Sequence, residues 1–297
     1  MPVSKQTKVG FIGLGVMGYH MAGHLSKSDN VDLLVYNRTA EKAVNWQNEF
    51  GGKISDSMHQ TAQHSEVVII CAGKDEDMEE IVFSDRGIHN YLKSGTTLID
   101  HTTTSFKLAS KLSKSLQDIG VEFIDAPVSG GETGAVNGVL SVMAGGNKEV
   151  LQSVESLINT YSKSINFMGA AGYGQLAKMV NQICIAGVLQ GLSEGLLFAE
   201  SEGIDMDNLL SAISGGAAQS WQMVNRADTM HKREFDFGFA IKWMVKDLGY
   251  CLDRSKNNKT NLPLAQDVYD KYTYLMNNQH ELSDTSALML YDELSKL

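Results

Sequence analysis

A short apolar strand, Lys8 to Ile12 (KVGFI), runs straight into Gly13-Leu14-Gly15-Val16-Met17-Gly18 and then into an amphipathic segment ending near Ser26. Few local patterns restrict a fold as much as G-x-G-x-x-G between a strand and a helix. Gly13 permits the tight turn, Gly15 lets the backbone approach a pyrophosphate, and Gly18 lets the helix pack on the strand. The unpaired N–H groups of the new helix then face the phosphates. Glycine-rich turns also occur in α/β proteins that bind no nucleotide. The strand before and the helix after favour a dinucleotide site, with Leu14, Val16 and Met17 completing its loop.

The second strand, Val31 to Tyr36 (VDLLVY), ends where a ribose-binding acid stands when the cofactor is NAD. Here the residues are Asn37-Arg38-Thr39, with no carboxylate. Arg38 can pair with a 2′-phosphate and stack on adenine, and Thr39 can donate a hydrogen bond. These three residues predict NADP in preference to NAD. A helix (Ala40 to Phe50), a linking segment, and strands at Glu66 to Ala72, Thr97 to Asp100, Val121 to Ile124, Leu140 to Ala144 and Ile165 to Met168 follow, with helices between them. Such alternation implies a doubly wound, mostly parallel Rossmann-type sheet with ligands at the strands' carboxyl ends.

At Gly169 to Gly203 the pattern changes. Three glycines (Gly169, Gly172, Gly174) end the last strand, a helical pattern runs from Gln175 to about Glu202, and only helical patterns follow. We expect a dinucleotide-binding domain over residues 1–169 and an all-helical substrate and dimerisation domain over 170–297, joined by this long helix. Lys178 and Asn181 lie three apart on one face of it. Its longest unbroken apolar run, Ile183 to Leu189, is shorter than the roughly 20 residues a membrane span needs.

Composition narrows the function class. A net charge of -10 over 297 residues argues against nucleic acid or an anionic membrane as the main partner. Cys71, Cys184 and Cys251 are an odd, widely spaced set, which reads as thiols in a reducing compartment. The lead from Met1 to Lys8 is short and polar, without the apolar stretch of a signal peptide, so the expected location is the cytoplasm. His20 and His24 stand four apart on the first helix, but no Cys or carboxylate pair completes a metal site beside them. They read as exposed helix histidines, and no metal is expected.

Four blocks of the chain together resemble the β-hydroxyacid dehydrogenases, the family of 3-hydroxyisobutyrate dehydrogenase. They are Phe11 to Gly18 with Met21-Ala22, Asp125 to Gly131 (DAPVSGG), Gly172 to Gln182 (GYGQLAKMVNQ), and Lys246 to Gly249 (KDLG). The resemblance implies that Lys178, the lysine of G-x-x-x-K-x-x-N, exchanges the proton of the alcohol. Such proton work is easier for an ammonium in an apolar cleft beside a cationic ring. It implies that Asn181 holds the substrate next to Lys178, and that Ser129, Gly130 and Gly131 receive the substrate carboxylate. It adds Thr103, Ala72 and Lys246 to the cofactor contacts. Two departures stand out: His24 replaces a common Asn, and Ala72-Gly73 replaces Leu-Pro, a change expected to loosen the nicotinamide loop.

The activity implied is hydride transfer between NADP(H) and a small 3-hydroxy acid or semialdehyde carboxylate, by a homodimer or homotetramer. A tartronate semialdehyde reductase, or a reductase of succinic semialdehyde and glyoxylate, shares the same motifs. A catalytically silent nucleotide-binding relative is the alternative from another class. The intact Lys178, Asn181 and Ser129 speak against it.

Overall fold

The computed structural model describes residues 6–295. Most of the polar lead lies outside them (residues 1–5), as do the last two residues of the helix expected to reach Leu297. The chain divides into two compact units, with the boundary between Lys178 and Met179.

The first unit is built on one sheet. Its strands are β1 (Thr7–Ile12), β2 (Val31–Tyr36), β3 (Lys53–Ile54), β4 (Val67–Ile70), β5 (Thr97–Asp100), β6 (Glu122–Asp125), β7 (Val128–Ser129), β8 (Leu140–Gly146) and β9 (Ser162–Gly169). They lie in the order β3-β2-β1-β4-β5-β6-β8-β7, with β9 paired to β8. Strands β1 to β6 are mutually parallel and β8 turns antiparallel to β6. The order reverses between β1 and β4, which opens a crevice at their carboxyl ends. Helices α1 (Val16–Ser26), α2 (Ala40–Phe50), α3 (Met58–His64), α4 (Asp75–Phe83), α5 (Phe106–Gln117), α6 (Gly131–Val136) and α7 (Lys148–Ile158) connect the strands.

Strand β4 (VVII) shows why the sheet is covered on both faces. Val67 and Ile69 join a core with Phe11, Met21 and Trp46, whereas Val68 and Ile70 join a second core with Met78, Leu98 and Leu112. Each such side chain contributes about 1.5–3 kcal/mol when fully buried. A strand with no polar position needs helices on either side.

Two stretches differ from what the sequence leads one to expect. Residues 51–65, expected as a linker, hold β3 and α3. The helix is too polar (MHQTAQH) to show an apolar stripe, and it starts with Ser57 Oγ accepting the Gln60 N–H at 3.2 Å. Residues 128–136, where the sequence pattern marks neither strand nor helix, hold the two-residue β7 and the short α6.

Helix α8 (Tyr173–Ser201) begins in the first unit and supplies the start of the second, which continues with α9 (Met206–Ile213), α10 (Trp221–His231), α11 (Ile241–Asn258), α12 (Pro263–Leu275) and α13 (Leu290–Leu294). Ala186, Leu189 and Leu196 of α8 meet Met244 and Leu248 of α11 and Val268 and Tyr272 of α12 in one core. By length and composition α8 could cross a membrane: it has 29 residues, and its most apolar window has a mean hydropathy of 1.4. Counting unbroken apolar residues does not reveal this. The fully covered Ala186 and Leu189 make it a core helix of the folded chain. The helical pattern from Asp284 to Leu297 instead opens with a 3-10 turn, Thr285–Met289, before α13, because the buried Asp284 carboxylate accepts the Ser286 N–H and hydroxyl.

Candidate active site

The glycine loop joins β1 to α1 without a side-chain cap. Gly13 has φ +101, and a Cβ there would run into the Cys71 carbonyl, while a Cβ on Gly18 would run into the Gly13 carbonyl. Gly15 is different: nothing lies within 4 Å of the place its Cβ would take. Gly15 caps α1 with no side-chain hydrogen bond, and the first turn carries no acid. Open space at a helix start with uncapped N–H groups fits a pyrophosphate. Leu14 N–H donates to Asn37 Oδ1 at 2.8 Å, and Asn37 Nδ2 donates to the Thr39 carbonyl at 2.9 Å. Asn37 thus braces the loop. Arg38 projects from the end of β2, 78% exposed, with its guanidinium 3.7 Å from Glu80 and 4.0 Å from Asp77, both on α4. Thr39 stands at the start of α2 and is exposed.

Neither histidine of α1 is exposed as expected: His20 is half-buried and meets the Tyr19 ring edge-on. His24 is half-buried, and its Nε2–H donates to the Ala135 and Val136 carbonyls, each at 3.0 Å, which fastens α1 to α6.

The next contacts come from the loops after β4 and β5. Ala72 N–H donates to Thr102 Oγ1 at 2.9 Å, so the segment expected to be loosened by Ala72-Gly73 is tied to the neighbouring loop. Thr103 follows directly. Beneath it, Asp100 and Asp125 are register partners on β5 and β6, both wholly buried. Burial pushes the Asp100 carboxyl up to about 7 and the Asp125 carboxyl up to about 6. Burial drives His101 the other way, down to about 4, so the ring is neutral at neutral pH. Its Nδ1 lies 2.6 Å from the Ala126 carbonyl and must carry the proton, leaving Nε2 to accept from the Tyr161 hydroxyl at 2.9 Å.

Asp125 caps α8 from a distance. Its carboxylate accepts the Gly172 N–H at 2.6 Å and the Gln175 N–H at 2.9 Å. A carboxylate at a helix start offsets the orphan N–H groups and the positive end of the helix dipole. Three residues past Gln175, Lys178 is only 8% exposed, and its Nζ donates to the Val128 carbonyl at 2.9 Å. That carbonyl belongs to the residue before Ser129. Gly130 then adopts φ +129, a conformation costly for any side chain, and the chain turns into α6 at Gly131. The first unit therefore brings Lys178 to the Ser129–Gly131 segment.

Asn181 and Lys246 belong to the second unit, where they are ends of one polar chain. Asn181 Nδ2 donates to Gln182 Oε1 at 2.7 Å, Gln182 Nε2 donates to Asp247 Oδ2 at 2.6 Å, and Lys246 Nζ stands 3.1 Å from Asp247 Oδ1. Gln182 and Asp247 are both 2% exposed. Sequence reasoning missed Gln175, Gln182 and Asp247 as site-forming groups. Gln175, Lys178 and Gln182 are spaced i, i+3, i+7, a polar stripe on an otherwise apolar helix, and that spacing was the available signal. A cavity of about 720 Å³ opens beside Arg233 and His280 and contains none of these residues. Arg233 there is already committed to Glu200 at 2.7 Å and Glu293 at 2.6 Å.

Residues 8–169 match the family model for the NAD binding domain of 6-phosphogluconate dehydrogenase, and residues 172–291 match the NAD-binding model of NADP-dependent 3-hydroxyisobutyrate dehydrogenase. The chain belongs to the β-hydroxyacid dehydrogenase family. An uncharacterized oxidoreductase of Shewanella frigidimarina is 47% identical over 97% of this chain and 99% of its own. The 2-hydroxy-3-oxopropionate reductase of Escherichia coli is 32% identical over 97% of each chain. Among solved structures, 3-hydroxyisobutyrate dehydrogenase of Mycobacterium tuberculosis with L-serine superposes with a TM-score of 0.85, at 26% identity over 96% of this chain and 98% of that one. This β-hydroxyacid dehydrogenase thus has the expected fold, a Rossmann-type sheet followed by a helical domain, and it is an oxidoreductase using a nicotinamide dinucleotide.

Proposed function

We propose that the protein interconverts small 3-hydroxy acids and their semialdehydes with NADP(H) in a reducing compartment, with Lys178 carrying the proton. The observation that supports this best is the contact between Lys178 Nζ and the Val128 carbonyl, 2.9 Å long and buried. It holds an ammonium one residue from Ser129, where a hydroxyl and the Gly130 and Gly131 amides can receive a carboxylate. The loop Gly13 to Gly18 would hold the phosphates of NADP(H), which would supply or take the hydride when bound. In reduction the substrate oxygen receives a proton from Lys178; in oxidation Lys178 takes it from the hydroxyl. Asn181, its side chain oriented through Gln182, would hold that oxygen. A second reading, a reductase of 2-hydroxy-3-oxopropionate, draws on the Escherichia coli relative. Turnover of purified protein with 3-hydroxyisobutyrate, 2-hydroxy-3-oxopropionate, succinic semialdehyde and glyoxylate, with each coenzyme, separates these. Absence of turnover on every one would overturn the proposal.

The NADP preference rests on Arg38, with no carboxylate at residues 37–39. Arg38→Ala is expected to lower kcat/KM for NADPH by about 10- to 100-fold while leaving NADH nearly unchanged, the worth of one charge-assisted phosphate contact. The carboxylates of Asp77 and Glu80, close to the guanidinium, temper that gain by repelling a phosphate. Equal efficiency with the two coenzymes in the unaltered protein would contradict the assignment.

Ser129→Ala is expected to raise KM for the acid more than it lowers kcat. A carboxylate keeps its charge through the reaction, so its contacts bind ground and transition states alike. A fall in kcat at constant KM would move Ser129 to the reacting oxygen.

A further inference from the structure

We propose that Gln175 is a positioning residue, which locks the Thr103 segment against the helix that carries Lys178. The proposal rests on the proposed function, in which Lys178 carries the proton, and on the expectation from the family resemblance that Thr103 touches the cofactor. Gln175 is a wholly buried carboxamide in the first turn of α8. Burying such a group is unfavourable unless both its ends are paired. Both are: Nε2–H donates to the Thr102 carbonyl at 2.8 Å, and Oε1 accepts the Thr104 N–H at 3.0 Å. The two partners flank Thr103, so one side chain grips the backbone on either side of it.

The grip has a single orientation, because the carbonyl can meet only the amide nitrogen and the N–H only the oxygen. Gln175 is itself held from below, its backbone N–H on Asp125 Oδ2 at 2.9 Å. One turn further, Lys178 is held on Val128. A single helical turn therefore joins the loop after β5, which carries Thr103, to the loop after β6, which leads to Ser129. Loss of the carboxamide frees the first loop and leaves the second in place. Displacement of a reacting partner by about 1 Å costs on the order of 10²-fold in rate.

The test uses Gln175→Met, which keeps the side chain's length without its amide. A second variant, Gln175→Glu, keeps the acceptor for Thr104 but sets a carboxylate oxygen against the Thr102 carbonyl. Each is examined in three ways: amide hydrogen exchange of the cofactor-free protein, NADPH titration by fluorescence, and kcat with its isotope effect from 4-deuterated NADPH. In both variants kcat should fall by about 10²-fold with an increased isotope effect, while NADPH affinity stays within about threefold. In Gln175→Met the Thr104 amide should exchange at least about tenfold faster, while the Gly172 amide, capped by Asp125, keeps its protection. Unchanged exchange at Thr104 in that variant would show that the side chain grips nothing. Faster exchange with kcat and isotope effect unaltered would reduce Gln175 to a packing residue and overturn its role. If the unaltered protein turns over none of the substrates, the functional reading fails first, and this role falls with it. A working parent with working variants rejects Gln175 alone.

Discussion

Lys178→Arg is expected to lose about 10²–10⁴-fold in turnover, nearly as much as Lys178→Ala, because general acid–base catalysis is worth about that much. A guanidinium can still donate to the Val128 carbonyl that holds Nζ at 2.9 Å, so the first unit should remain folded. It retains its proton at any working pH and so has nothing to exchange. NADPH affinity should hardly move, since the phosphates are taken by the loop Gly13 to Gly18. If Lys178 served only to pin α8 to β7, Arg would be tolerated and the Ala variant would lower the melting temperature, not kcat. Turnover of purified Lys178→Arg, beside a thermal melt and an NADPH titration, decides between them. An Arg variant within a few-fold of the parent would remove Lys178 from the proton path.

The next largest effect is expected at Asp100, and it is one of stability against pH. Burial pushes its carboxyl up to about 7, helped by the like charge of Asp125 and opposed by hydrogen bonds from Thr102. The unfolded chain releases that proton near pH 4 (about 3.9), so between about pH 4 and pH 7 the native state holds one proton more. Stability falls with rising pH wherever the native state binds more protons. The contribution of Asp100 is therefore complete below about pH 4 and is lost as pH rises through about 7. Asp125, raised to about 6, acts in the same direction, whereas His101, lowered to about 4, makes the protein more stable as pH rises from 4 toward 6.5. Both remain in Asp100→Asn and largely cancel in the comparison. Between pH 5 and pH 8 the parent should lose about 2–3 kcal/mol relative to that variant, since each tenfold change in proton affinity is worth about 1.4 kcal/mol. Urea unfolding of both proteins at the two pH values checks this; parallel behaviour would refute it.

Much of the first unit could be read because its signals are local. The strand, glycine loop and helix from Thr7 to Ser26 occupy twenty consecutive residues, and β2 and α2 start and stop where the apolar pattern does. Elements defined by a distant partner could not be read this way. The two-residue β3 and β7 exist only as the edges of β2 and β8. The same holds for the site. Lys178, Asn181 and Ser129 announce themselves by residue type and spacing. The residues that hold them depend on partners far along the chain: Asp125 reaches Gly172 across 47 residues, Gln175 reaches Thr102 across 73, and Gln182 reaches Asp247 across 65. Periodicity carries no information about such pairs. His24 looks exposed in the sequence for that reason, since the carbonyls it binds are 111 and 112 residues away.

Asn37 constrains how this protein could ever be retooled from one coenzyme to the other. Its oxygen takes the Leu14 N–H and its nitrogen the Thr39 carbonyl, so one side chain splices the phosphate end of the crevice to the ribose end. An aspartate placed there to favour a ribose diol would still accept from Leu14. It would lose the donor to Thr39 and release the very segment meant to present it. Position 37 is closed to such a swap. Arg38 and Thr39 are exposed, and neither lends its side chain to a cap of α2. A lineage or an engineer changing coenzymes has those two residues to work with, and the scaffold beneath them can stay as it is.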